Sequence, residues 1–226
     1  MATYAKEQDI TTDVVDDPQA RQTLQEVFQN TARWPAGFKG FSADCTVNLN
    51  GKEEQCTVTV KAPRDIQITA GSEEARSFLT ENLGSIAMHR GPRSFEESDG
   101  KYKLHFMDEG THPLGRAVAM GGDGMSSFYR LKDGRIQQIN RMGQHFAFSI
   151  NVEESVKNVE GKYLTRRYTV YYFHPENRAL KDVESYTDEY ARVGQADLPR
   201  YRRIINCEEG EVRTHSMTLS NHQLLA

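Results

Sequence analysis

From Phe41 the chain alternates strictly. Phe41, Ala43, Cys45, Val47 and Leu49 are apolar, whereas Ser42, Asp44, Thr46, Asn48 and Asn50 are polar. In a strand successive side chains point to opposite faces, so this stretch has one apolar face and one wet face. Asn50-Gly51 is a favoured two-residue hairpin turn, because both positions need positive φ. Cys56, Val58 and Val60 carry the rhythm back, and Pro63 separates them from a third strand starting at Ile66 and Ile68. The hairpin sets Cys45 opposite Cys56. A bridge there is geometrically conceivable, but two reduced, small apolar side chains are the preferred reading.

Two segments follow a helical period instead. Asp17-Pro18 reads as N-cap and first helical residue. Leu24, Val27, Phe28, Thr31 and Trp34 then predict a helix over about 18–33, ended by Pro35 and Gly37. Ser72-Glu73-Glu74 opens a second helix, in which Ala75, Phe78, Leu79, Leu83, Ile86 and Ala87 form one apolar stripe. Asn82 is the single polar residue within that stripe, and Gly91-Pro92 stops the helix. Beyond residue 100 the chain reads as strands separated by Asp-Gly and Glu-Gly turns. The strands include Tyr102–Phe106, 114–120, 126–132, 135–141, 146–152, 162–174, 180–193, 202–206 and 211–219. The fold class expected is mainly β (α+β): a strongly curved antiparallel sheet or incomplete barrel covered by two helices. Residues 1–16 form a flexible tail and 17–226 one helix-covered domain.

Composition narrows the function classes. Hydrophobic residues make up 37% and charged residues 27% of 226. A sheet with one wet face suits so polar a chain better than a sheet buried on both faces. The net charge of −4 speaks against nucleic acid, which needs clustered Lys and Arg. Arg166-Arg167 and Arg200 with Arg202-Arg203 therefore read as solvated strand edges. No apolar run is long enough to span a membrane, and Met1–Asp17 carries no secretory signal. Cys45, Cys56 and Cys207 are too few for a disulfide framework.

Catalytic chemistry has no local signature. None of the seven histidines forms a helical i, i+4 pair with a flanking acid. His105 and His112 straddle Asp108 and Glu109, a weak metal candidate, and read better as polar residues around a turn. The segment GRAVAMGGDG (115–124) lacks the phosphate-cradling pattern and reads as a mobile loop at the mouth of the sheet. Glu96-Glu97 and Glu153-Glu154 are adjacent, so in strands they point to opposite faces. No catalytic residue, metal ligand or cofactor is assigned.

What remains is apolar surface on long strands. Phe41, Val47, Leu49, Tyr102, Leu104, Phe106, Phe146, Phe148, Ile150, Tyr168, Val170 and Tyr172, with Phe78 from the second helix, would line a ligand site if they share one concave face. Otherwise they are core.

The phrases GFKGFSADCTVNLNGKEEQCTVTVKAPRDIQI (37–68), KYLTRRYTVYYFHP (162–175), LPRYRRI (198–204) and RTHSMTLSNHQLL (213–225) resemble an uncharacterised domain family of cyanobacteria and plant plastids. The order of elements is similar to the lipoprotein-carrier fold, a helix-covered half-barrel that shelters acyl chains. The resemblance implies a curved sheet and a setting in photosynthetic cells, cytoplasmic or plastid-stromal, and it implies no functional residues. Carriers of that fold work in the periplasm, for which Met1–Asp17 shows no export signal. The function expected is non-enzymatic binding of an apolar or amphipathic small molecule: a lipid, pigment or isoprenoid. One alternative is a protein-interaction or assembly factor using a surface patch such as Tyr186, Tyr190 and Arg200–Arg203. The other is an enzyme with dispersed residues.

Overall fold

The computed structural model describes residues 15–69, 71–122, 126–208 and 210–226. Residues 1–14 of the expected tail and the Asp123-Gly124 turn lie outside them. The elements are α1 (Pro18–Asn30), β1 (Phe41–Leu49), β2 (Lys52–Ala62), β3 (Asp65–Thr69), α2 (Glu73–Arg90), β4 (Lys103–Phe106), β5 (Arg116–Gly121), β6 (Ser126–Lys132), β7 (Arg135–Met142), β8 (Ala147–Lys157), β9 (Tyr163–Phe173), β10 (Leu180–Val193), β11 (Ala196–Glu208) and β12 (Glu211–Leu224). The strands form one open antiparallel sheet in the order β3-β2-β1-β12-β11-β10-β9-β8-β7-β6-β5-β4. Every neighbour in it is consecutive in sequence except β1 and β12, so the expected mainly β, antiparallel class with two helices is the observed one.

The chain forms two compact units. Unit 1 comprises the described parts of Met1–Gln29, Phe95–Asn151 and Tyr171–Lys181; unit 2 comprises Asn30–Ser94, Val152–Val170 and Asp182–Ala226.

In unit 1, Asp17 caps α1: its Oδ1 accepts from the Gln19 and Ala20 amides at 2.8 and 3.3 Å. Asp16 ties the same helix start to β4. Its Oδ1 accepts from the Leu104 amide at 2.8 Å, and both of its oxygens accept from Arg21. Leu24, Val27 and Phe28 then pack with Phe95, Leu104, Val118, Met120, Tyr129 and Leu131. The helix stops at Asn30, short of the expected end, because Thr31 leaves it to bridge Tyr163.

In unit 2, the hairpin and helix-cap signals hold. Asn50 and Gly51 have φ of 53° and 93°, as the tight turn requires. Cys45 faces Cys56 in register; both are buried free thiols, and burial pushes the Cys45 thiol up, away from the reactive thiolate. α2 begins at Ser72, whose Oγ accepts from the Ala75 amide at 3.2 Å. Glu54 holds this cap, accepting from the Ser72 hydroxyl at 2.7 Å. The helix rides close on the sheet: a Cβ at Gly84 would meet the Pro63 carbonyl oxygen at 2.9 Å, so a larger residue would force α2 away. Beneath it lie Phe41, Ala43, Cys45, Val47, Leu49, Val58, Val60, Met217 and Leu219. Trp34 closes one end, donating from Nε1 to the Asp197 carbonyl at 3.0 Å.

Two expectations need correction. The segment read both as a strand over 114–120 and as a loop over 115–124 is strand β5 from Arg116 to Gly121, so the loop reading fails there, and Ala117 to Gly121 are all buried. Their small side chains fit against both faces, a burial that leaves no alternation to read. Arg202, expected at a solvated strand edge, is buried together with Asp188.

Candidate functional site

Register shows which side chains share a face in unit 1. Phe106 lies opposite Val118, Val118 opposite Tyr129, Tyr129 opposite Ile139, and Ile139 opposite Ile150. The result is a transverse row, one apolar residue per strand, across five strands from β4 to β8. The first part of this face is sealed by α1: Leu104 and Val118 are fully buried and Tyr129 is buried. On β7 the residues Ile136 and Ile139 only border that core. Further on, Phe148 and Ile150 are half-buried, and Phe146 is 43% exposed.

The exposed end of the row is aromatic. Phe146 stacks on Phe148 with centroids 5.9 Å apart, and Phe148 meets Tyr172 at 6.3 Å. Arg141, directly opposite Phe148 in register, is the cation of this strip. Its guanidinium lies 4.6 Å from the Tyr129 ring centroid and donates to the Tyr129 hydroxyl. That hydroxyl donates in turn to Asp99 at 3.1 Å. Burial, and then the Asp99 charge, push the Tyr129 pKa up, so it stays protonated and orients Arg141. The strip presents aromatic and aliphatic side chains with the Arg141 guanidinium beside them.

Of the residues expected to line a site, Tyr102, Leu104, Phe106, Phe146, Phe148, Ile150 and Tyr172 belong to unit 1. Among them Leu104 is sealed under α1, while Tyr102 and Phe106 pack at the edge of that core. Phe41, Val47 and Leu49 belong to the core beneath α2 in unit 2, with Phe78 packed against it and meeting His215 edge-on at 5.6 Å. Val170 is buried in unit 2, and Tyr168 stacks on Tyr186, their centroids 4.5 Å apart and planes 7° apart. Sequence reasoning missed Ile139, Tyr129 and Arg141, which only the strand register brings into the row.

Unit 2 contains a second, polar constellation. Arg202 donates from Nε and Nη2 to the two carboxylate oxygens of Asp188 at 2.8 and 2.7 Å. It also reaches Asn82 at 3.3 Å and the Tyr168 hydroxyl at 3.2 Å. Burial alone would favour loss of the Arg202 proton, but Tyr168 and Asp188 outweigh it and raise its pKa. Tyr190 donates to the Thr165 carbonyl at 2.8 Å, and burial, then the Asp188 charge, push its pKa up to about 12. The polar Asn82 within the α2 stripe was the one sequence signal of this network. The surface patch imagined from Tyr186, Tyr190 and Arg200–Arg203 thus has Arg202 in its interior and keeps Arg200 and Arg203 outside.

Asp108, near the suspected metal ligands, is engaged by Arg130 at 2.7 Å and by the Gly110 and Ala117 amides, and His112 Nδ1 accepts from the Leu114 amide. Among the described residues no three His, Cys, Asp or Glu side chains gather as a metal site would need. Among the described residues no helix is long and apolar enough to cross a membrane.

No curated protein matches the chain. Three solved structures share a loose likeness. A domain from Vibrio parahaemolyticus, described as an outer membrane lipoprotein-sorting protein, is 8% identical with a TM-score of 0.38, over 92% of this chain and 93% of that one. A LolA superfamily protein from Nitrosomonas europaea is 10% identical with a TM-score of 0.30, over 92% and 94%. A DUF1329 family protein from Desulfovibrio piger is 7% identical with a TM-score of 0.28, over 93% and 94%. Residues 15–225 match the model of a family described as a protein of unknown function, DUF3386, and the chain belongs to that family.

Proposed function

We propose that this chain is a non-enzymatic binding protein that holds an apolar or amphipathic small molecule on the strip of unit 1. Lipids, pigments and isoprenoids have the required chemistry. One observation carries the reading. The transverse row stays apolar across five strands, while the buried core that includes α1 draws its strand residues from β4 to β6, with Ile136 and Ile139 of β7 at its border. A face built only for the core would turn polar where its helix stops. Here it ends in half-buried Ile150, Phe148 and Tyr172 and exposed Phe146, and a contiguous apolar patch reaching the surface suits a binding site. Arg141 suits a ligand with a polar end. A setting in the cytoplasm or plastid stroma of photosynthetic cells is proposed with it, on the resemblance of sequence phrases.

Native mass spectrometry after detergent-free purification tests the proposal. The expected result is a released small molecule of apolar character, retained by the wild type and lost in Phe148→Ser. A wild-type protein that is always empty, and takes up no retinol when it is offered, would end the proposal.

A further inference from the structure

Unit 2 holds a charge that its fold leaves unmatched. Arg90, in the last turn of α2, is 8% exposed. Its Nε and Nη2 have no hydrogen-bond partner among the described residues, and its guanidinium lies 5.0 Å from the centroid of the Tyr190 ring. The carboxylates nearby are engaged elsewhere: Asp188 by Arg202, and Asp197 by Arg192 and Asn158. Exposed Arg93 donates to the Met88 carbonyl at 2.7 Å. The charges of Arg90, Arg93 and Arg202 all bear on His89; among the described residues Arg202, which reaches Asn82 in the middle of α2, is the one of the three paired with a carboxylate.

Simpler explanations do not absorb Arg90. Cations do favour a helix C-terminus. Here, however, the terminal carbonyls are taken by Arg93 on Met88, the Gly91 amide on Ala87 and the Trp34 amide on Arg90 itself. The Tyr190 ring offsets part of the cost of burying a cation, but a buried charge without a hydrogen-bonded partner remains strongly unfavourable.

We propose that Arg90, flanked by Arg93 and Arg202, binds the oxyanion group of a small ligand, a carboxylate or a phosphate, at the C-terminal end of α2. A guanidinium fork matches two oxygens of either group.

Calorimetric titration of the full chain at fixed ionic strength with inorganic phosphate, hexanoate and neutral hexanol tests this. Saturable binding of phosphate or hexanoate is expected, and whichever binds identifies the source of the oxyanion. Arg90→Gln should weaken that binding at least tenfold, and Arg90→Lys, which keeps the charge without the fork, by less. Arg93→Gln changes an exposed side chain and should weaken binding severalfold in a folded protein, so it carries the test if Arg90→Gln unfolds. The proposal is overturned if the wild type binds neither anion saturably, if hexanol binds as hexanoate does, or if the folded glutamine variants bind as the wild type does.

Discussion

The two units meet one problem and solve it differently. Each has a single helix lying on a stretch of antiparallel strands, and each stretch is wider than its helix. In unit 2, α2 covers β1 to β3 and part of β11 and β12. At β10 and β11 the same face turns polar, where Asp188 and Arg202 bind each other and Arg202 reaches up to Asn82 of α2. In unit 1, α1 shares a buried core with residues of β4 to β6, and the same face stays apolar through β7 and β8, where Phe148 and Ile150 are half-buried and Phe146 is exposed. The difference teaches that incomplete cover does not itself create a binding surface. A polar continuation completes a fold, whereas an apolar continuation leaves surface free for something else.

The largest effect expected lies at the polar continuation. Asp188→Ala would leave Arg202 buried and unpaired; both side chains are under 8% exposed. Urea unfolding should show a loss of about 3–5 kcal/mol. A value near zero would mean that the network is not closed and that the contrast with unit 1 fails.

The next pair sharpens the contrast within unit 1. Leu104→Ala, under α1, should cost about 2–5 kcal/mol. Phe148→Ser, on the same face, should cost under about 1 kcal/mol, while retinol capture falls at least tenfold. Equal destabilisation by the two substitutions would make Phe148 an ordinary core residue.

Much of this was readable in the chain. β1 alternates because one face is wet, and its turn residues and the caps of α2 act through their own backbones, so local reasoning reached them. The helical stripe showed Asn82 as its one polar residue but not its partner Arg202, 120 residues later. A charged side chain reads as surface until tertiary structure supplies Asp188. The start of β11 at Ala196 and the extension of β12 to Leu224 escaped for related reasons: Pro199 argues against a strand, and the last residues of β12 are polar although they pair with β1. The apolar site residues were named as a class. Which of them a helix would cover depends on register and helix length, and neither is visible in a two-residue rhythm.

Smaller effects test the helix starts. Ser72→Ala removes the α2 cap and should cost about 1 kcal/mol, seen as a shift of the urea midpoint. At the α1 start, the hydrogen bond from Arg21 holds the Asp16 carboxyl below its ordinary range. Its contribution is complete above about pH 4, the unfolded value, and is lost as pH falls through the lower folded value. Solvent screening of this part-exposed pair keeps the effect under about 1 kcal/mol. Asp16→Asn should remove that part of the acid dependence below about pH 4.

The central claim is tested most directly by titrating retinol into the protein, with the aromatic side chains followed by NMR. The rings of Phe146, Phe148 and Tyr172 should shift saturably while those of Phe41 and Trp34 stay in place. Unmoved strip resonances at saturating retinol, or shifts confined to the core rings of unit 2, would contradict the account.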